Sequence, residues 1–376
     1  MTTRRTLLLT AAAGALCRSG FAASGPEPGL RDIATERGLV YGSYVSPWEI
    51  QQNADLTAVL ERECGLAVTP RMAWDQLQPT PERHDFTGVD ADYDWARAHG
   101  MKFRGHALVW GEQAPLWFSD LPDRSAAIGA LERHVTATCR HFAGRMQSWD
   151  VVNEAILLPA GRADHLRPQV FLDKIGPEYL DISYHAARAA DPSACLVYNE
   201  FGIEMELPDQ LAKRQALFDL IDGFKKRGVP LDAVGLQSHL YVAEMPHFDE
   251  KAFSRFLDEL VARGLQIMLT ELDVVDKGAP SDITARDAAV AAIYRRYLDV
   301  ALANRVVTTV VTWGMTDRIS WIVSIPNPRT KRDDGLPPRP LPFDADMHPK
   351  PAYAAIADAF RSAPKRAIPP RPTSHS

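Results

Sequence analysis

Two short stretches of the chain end an apolar run on carboxylates. Trp149-Asp150-Val151-Val152-Asn153-Glu154 closes with an amide and an acid, and Met268-Leu269-Thr270-Glu271-Leu272-Asp273 closes with two acids. His106, Gln237, His239 and Trp313 stand at the ends of other apolar runs. A lone strand-end Glu more often caps a helix or pairs with an arginine than does chemistry. Two of them on different strands, in the company of His, Asn, Gln and Trp, point to a reaction centre. A pair of carboxyl groups flanking one bond is what cleavage of a glycoside needs, one to protonate the leaving oxygen and one to attack the anomeric carbon. Tryptophans supply flat apolar faces for sugar rings. The alternative is a metal site built from His106, His239 and Asp273, but their spacing matches no zinc motif.

The pattern between these residues says how they are brought together. From residue 39 to 361, short apolar, β-branched runs alternate with longer amphipathic segments, as repeated βα units of a parallel sheet do. The runs are Leu39–Tyr44, Gly65–Val68, Lys102–Ala107, Gln147–Val152, Cys195–Tyr198, Ala233–Gln237, Gln266–Thr270 and Val307–Trp313. Helical periodicity falls between them, at Ala126–Phe142, Phe171–Ala190, Asp209–Lys226, Lys251–Arg263 and Ile283–Asn304. Eight alternations without a break in composition predict an α/β fold, a single (β/α)8 TIM barrel whose chemistry collects at the carboxyl ends of the strands. A doubly wound open sheet is the rival architecture. Its Gly-rich phosphate fingerprint is missing after the first strand, where Leu39-Val40-Tyr41-Gly42-Ser43-Tyr44 holds one glycine. The irregular loop Pro326–Pro342 follows the last strand and is expected on the active face. The tail Ser362–Ser376, rich in Pro, Arg and Ser, is expected to be disordered.

With these segments in view, the chain resembles glycoside hydrolase family 10, whose best-known members are retaining endo-β-1,4-xylanases. The resemblance covers about residues 39 to 361. It is carried by Gly105-His106-Ala107-Leu108-Val109-Trp110, by Trp149 through Ala155, by Asp232-Ala233-Val234-Gly235-Leu236-Gln237-Ser238-His239, by Thr270-Glu271-Leu272-Asp273 and by Trp313 through Trp321. Phe343-Asp344-Ala345-Asp346 and Pro349-Lys350-Pro351-Ala352-Tyr353 match the closing segment. Position by position, the resemblance implies Glu154 as acid/base and Glu271 as nucleophile. It places Asn153 on the sugar 2-hydroxyl, His239 on the nucleophile and Asp273 behind His239. His106, Trp110, Gln113, Gln237, Trp313 and Trp321 match sugar-binding positions. The activity implied is that of an endo-1,4-β-xylanase acting on a polysaccharide without a cofactor or a metal.

Three places depart from the family pattern. Thr69-Pro70-Arg71-Met72-Ala73-Trp74 stands where a Glu-Asn-x-Met-Lys-Trp stretch usually grips the glycone, Tyr198-Asn199-Glu200-Phe201-Gly202 replaces Tyr-Asn-Asp-Tyr-Asn, and Gly111 replaces a frequent His. Losing polar groups from one subsite weakens recognition by about 0.5–1.5 kcal/mol per hydrogen bond. Two readings of Arg71 follow, a bidentate contact to the carboxylate of an acidic sugar or a structural pair with a nearby acid. The first would turn the enzyme toward an acidic bacterial exopolysaccharide rather than plain xylan. From other classes, a non-catalytic carbohydrate-binding barrel and a metal-dependent hydrolase remain as rivals.

The 376 residues are 46% hydrophobic and 24% charged, enough for a large core, and the net charge of −6 gives no attraction to phosphate backbones. No nucleic-acid partner is expected. Arg4-Arg5 precedes the apolar stretch Thr6–Leu16 and the small residues Ala22-Ala23-Ser24, so residues 1–24 read as an export signal. The arrangement resembles a twin-arginine signal, and an ordinary secretory signal with two basic residues is the alternative. The apolar stretch is too short for a stable membrane anchor. The expectation is therefore an exported monomer, periplasmic or extracellular, with its barrel over residues 25–361. Cys64, Cys139 and Cys195 of the mature chain show no C-x-x-C spacing and read as buried thiols.

Overall fold

A computed structural model describes residues 27–366 apart from Pro326. The expected export signal and residues 367–376 of the expected tail lie outside these described residues. Among the described residues nine strands form: β1 (Val40–Tyr44), β2 (Leu66–Val68), β3 (Lys102–Gly105), β4 (Ser148–Asn153), β5 (Cys195–Glu200), β6 (Ala233–Leu236), β7 (His239–Tyr241), β8 (Gln266–Val275) and β9 (Val307–Thr312). β1 through β6 pair in sequence, β6 pairs with β8, β8 with β9, and β9 returns to β1, all in parallel. Eight strands therefore close into a ring, with helices outside it, and the doubly wound alternative falls.

The strand sequences explain the closure. β4, β5 and β8 are buried on both faces along almost their whole length, as near-continuous apolar runs in a covered parallel sheet are. Gly105 ends β3 because the indole of Trp149 lies against it. A Cβ there would meet Trp149 Cδ2 at 3.1 Å, with other ring atoms closer still. Outside the ring, helix faces are apolar at helical spacing. In Glu250–Ala262, for example, Ala252, Phe253, Phe256, Leu257 and Leu260 are the buried residues.

Two elements differ from the sequence-based expectation. The helix expected over Phe171–Ala190 breaks into Val170–Ile175 and Tyr179–Ala190. Gly176 ends the first half with φ 95° and Pro177 follows, a residue that cannot supply the backbone donor a continuous helix needs there. β7 was not expected. It arises because β8 runs five residues beyond the expected Thr270, and His239–Tyr241 pairs with that extension. Between Ser324 and Pro351 the described residues of the loop after β9 form no helix or strand beyond isolated bridges at Phe343, but the loop is pinned. Arg332 donates to the carbonyls of Asp276 and Ala279, Tyr294 to that of Pro340, and Arg339 pairs with Asp287. The expected disorder of the tail begins too early at Ser362. That residue ends the helix Pro351–Ser362, and Arg366 is tied to the carbonyls of Val307 and Leu302. Cys64, Cys139 and Cys195 are buried and free. No helix among the described residues is long and apolar enough to cross a membrane.

Candidate active site

Glu154 and Glu271 come to the same end of the ring by different local devices. On β8, successive side chains alternate between faces, so Glu271 and Asp273 fall on one side. The parallel register sets His239 of β7 directly beside Asp273. Ser238, with φ 62°, makes the kink at which the chain leaves β6 and continues, in the same direction, as β7. Its backbone N–H donates to Glu204 and its hydroxyl meets that of Tyr297, which holds the left-handed conformation in place. Glu154 follows β4 directly and is itself left-handed, with φ 55°.

The two carboxyl groups are joined by a chain of amides. Asn199 Nδ2 donates to Glu271 Oε1 at 2.7 Å and to Asn153 Oδ1 at 3.0 Å. Gln237 Nε2 donates to that same Asn153 oxygen at 3.3 Å and to Glu154 Oε1 at 3.0 Å. Thr270 Oγ1 donates to Asn199 Oδ1 at 2.6 Å, which fixes the orientation of the Asn199 amide. On the other side of Glu271, His239 Nε2 lies 3.2 Å from Oε2, and His239 Nδ1 lies 2.9 Å from Asp273 Oδ1. Trp321 Nε1 completes the line with a 2.7 Å bond to Asp273 Oδ2.

These contacts push the two acids apart in proton affinity. Burial raises Glu154, the nearby charges of Glu200 and Glu271 add to it, and Gln237 and Arg167 only partly oppose them, so its carboxyl is lifted to about 7. Burial would raise Glu271 too, but hydrogen bonding and charge from His239, the charge of His106 and the Asn199 amide hold it below the usual carboxylate range. Burial works against a charged His239, yet Asp273 and Glu271 outweigh it and keep the ring protonated well above its ordinary range. Below about pH 7 the site thus holds Glu271 as a carboxylate and Glu154 as a carboxylic acid, the division that acid/base chemistry at a single bond requires.

The aromatic residues wall one flank. Trp313 lies 4.7 Å from Tyr44 and 5.2 Å from His106 between ring centroids, and Trp321 packs 5.1 Å from His239. His106 is buried and its Nδ1 stands 2.8 Å from Asp150, which also pairs with the buried Arg104. Trp110 and Gln113 bound a single turn after β3, and the indole nitrogen of Trp110 is buried without a hydrogen-bond partner. His106 and His239 each face carboxylates of their own, and among the described residues no cluster of three His, Cys, Asp or Glu is arranged to hold a metal ion.

Arg71 makes the contacts of the second of its two readings. Its guanidinium turns to the helix Thr87–Ala98, where it donates to Gly88 O at 3.3 Å and lies 3.4 Å from Asp92. Thr69 binds the other Asp92 oxygen at 2.8 Å. Arg71 thus takes the structural pair that was its other reading. Trp74 is also a packing residue, stacked on His134 at 4.0 Å. Sequence reasoning missed Asn199, Thr270, Asp150 and Arg167 as parts of the site. Asn199 was visible only as part of a departure from a pattern, Asp150 and Thr270 only as members of the motif stretches, and Arg167 carried no signal of its own.

Residues 29–359 match the family model "Glycosyl hydrolase family 10". The chain belongs to glycosyl hydrolase family 10. It is 31% identical to endo-1,4-beta-xylanase B of Thermotoga neapolitana, over 83% of this chain and 85% of that protein. It is 33% identical to endo-1,4-beta-xylanase 5 of Pyricularia oryzae, over 91% and 82%. Among solved structures, native xylanase 10B from Thermotoga maritima superposes with a TM-score of 0.79 at 29% identity, covering 88% of this chain and 98% of that one. Xylanase 10B from Thermotoga petrophila in complex with xylobiose gives 0.79 at 30% identity, over 88% and 97%. Family 10 membership makes this chain a glycoside hydrolase on the (β/α)8 barrel already described.

Proposed function

We propose that this protein is a retaining endo-1,4-β-xylanase in which Glu154 is the acid/base and Glu271 the nucleophile. The observation that carries the reading is the pairing of a carboxyl lifted to about 7 with one held ionised, joined by the Asn199–Asn153–Gln237 amides. In the first step Glu271 attacks the anomeric carbon while the glycosidic C–O bond breaks and the Glu154 proton passes to the leaving oxygen. In the second, water attacks the same carbon, gives its proton to Glu154 and releases Glu271. Asn153 lies between both acids and bonds the sugar 2-hydroxyl, while His239, held by Asp273, keeps Glu271 oriented and charged.

Xylan is the substrate supported by the xylanases to which the chain is similar. An acidic polymer finds less support, because the Arg71 guanidinium is paired with Asp92. The Arg4-Arg5 segment supports export to the periplasm or beyond, and the enzyme acts as a monomer.

Incubation with β-1,4-xylan, mixed-linkage glucan and acidic bacterial polysaccharides, followed by product sizing and assignment of the first-formed anomer, tests the reading. Short xylo-oligosaccharides of retained configuration are expected. Inverted product, or release from another polymer alone, overturns it.

A further inference from the structure

The loop after β4 sends one side chain back over the residue that ends its own strand. Arg167 Nε donates to the carbonyl oxygen of Glu154 at 2.8 Å, and Arg167 Nη2 stands 3.4 Å from Glu154 Oε2. That Nη2 is buried and completes no hydrogen bond, so a donor waits beside the carboxyl without being engaged. Its other neighbours keep it there. Arg167 Nη1 lies 3.7 Å from Glu112 on the turn after β3, and the Phe201 ring sits 5.8 Å from the guanidinium carbon. The side chain is 15% exposed.

Glu154 needs such support. A non-glycine residue at φ 55° persists only when its surroundings over-determine it. Two bonds hold this one, Arg167 to its carbonyl and its own N–H to Asn199 O at 3.0 Å. The carboxyl is served unevenly. Oε1 receives the amides of Gln237 and Asn153, while Arg167 Nη2 is placed near Oε2.

We propose that Arg167 is a positioning residue that fixes the left-handed backbone of Glu154 and closes on its carboxylate once the proton has left. The inference rests on Glu154 being the acid/base. In the resting enzyme Glu154 is protonated and the 3.4 Å separation is loose. When the proton passes to the leaving oxygen, negative charge appears on Glu154, and closure to about 2.7–2.9 Å forms a charge-assisted bond that the ground state lacks. An interaction made after the ground state lowers the barrier without tightening ground-state binding. When water later returns a proton to Glu154, the bond loosens again.

The other charged groups about Glu154 do not take this part. Glu271 on β8 and Glu200 on β5 are acids, Glu112 is exposed and faces Arg167, and Lys213 is held by Glu200 at 2.7 Å. Arg167 is the cation paired with Glu154 among the described residues. Its charge lowers the proton affinity that burial and the two acids raise.

The test compares Arg167→Met, Arg167→Gln and Arg167→Lys with the parent and with Glu154→Gln. For each, kcat/KM is measured against pH on xylo-oligosaccharides and on an aryl xyloside whose leaving group needs no proton, with thermal unfolding recorded alongside. Both neutral variants are expected to move the alkaline limb up by about one pH unit. They should also lose roughly tenfold more activity on the oligosaccharide than on the aryl substrate. Arg167→Lys, which keeps the charge, should hold the limb near that of the parent. Arg167→Gln carries the test if Arg167→Met does not fold. An unmoved limb in a folded neutral variant, a lysine variant shifted as far as the neutral ones, or equal loss on both substrates overturns the inference. If Glu154→Gln retains the alkaline limb, the acid/base assignment itself falls, a result distinct from a limb that depends on Glu154 and ignores Arg167.

Discussion

The direction of each carboxyl's displacement dictates how activity responds to pH. Glu271 must be ionised and sits below the usual carboxylate range, so the acidic limb of kcat/KM is expected below pH 4.5. Glu154 must be protonated and is lifted to about 7, so activity falls as pH rises through that value. Glu154→Ala should abolish this alkaline limb, and added azide should partly restore turnover of activated substrates by attacking from the face that the missing base leaves open. An alkaline limb that survives the substitution would move the acid elsewhere. Asp273→Asn removes the charge that keeps His239 protonated. The loss of a buried hydrogen bond to a charged group, about 1.5–3 kcal/mol, predicts a fall in kcat of roughly ten- to a hundredfold, with the acidic limb displaced upward. Both acids were legible in the sequence because each closes an apolar run where a barrel puts its chemistry. Asn199 and Arg167 were not, since their parts depend on which strand lies alongside and how a loop folds back. Which of its two readings Arg71 takes was hidden for the same reason, because Asp92 lies 21 residues away on a helix whose approach no local pattern announces.

Loops and strands set the next level. Gly111, on the turn after β3, leaves its space to Gln169 from the loop after β4. A Cβ at 111 would meet Gln169 Cβ at 2.7 Å. Gln169 in turn donates to Tyr179 at 2.6 Å. Gly111→Ala should therefore destabilise by about 1–3 kcal/mol through overpacking. Adding Gln169→Ala should recover part of that loss, giving a coupling measurable in a double-mutant cycle of denaturant midpoints. Independent, additive losses would show that the two loops do not compete for this space. At the same scale, Arg71→Ala should change kcat/KM by the same small factor on plain and on glucuronate-bearing xylan, because its partners belong to the scaffold. The eight barrel strands were readable to within a few residues, as their apolar, β-branched runs are long enough to stand out. β7 was not, since three residues carry no periodicity and the strand exists only because β8 overruns its neighbours. The break at Gly176-Pro177 was written in the sequence, but the helical pattern on either side masked it.

At the scale of the molecule, the ring is completed by its first and last strands. Val40 to Ser43 of β1 lie in register with Thr309 to Thr312 of β9, and the Tyr41 and Thr312 hydroxyls meet at 3.1 Å across 271 positions of sequence. Outside this seam, Arg366 ties the chain beyond the final helix to Arg37 O, Val307 O and Leu302 O. The pairing has a kinetic meaning. Seven of the eight barrel strands can emerge from a ribosome and pair with their neighbours while the sheet still has two open edges, and bringing those edges together carries the loop-closure cost of a 271-residue separation. Until β9 and the helix after it are made, β1 and β8 present unpaired backbone to any other strand nearby. Truncation before Val307 should therefore yield an aggregating sheet rather than a less active enzyme. Stopping at Ser362 should leave a closed barrel that unfolds faster, by an amount readable from the unfolding arm of a chevron. The segment from Val307 onward, which also brings Trp313 and Trp321 to the site, thus decides whether the rest survives long enough to have an active site.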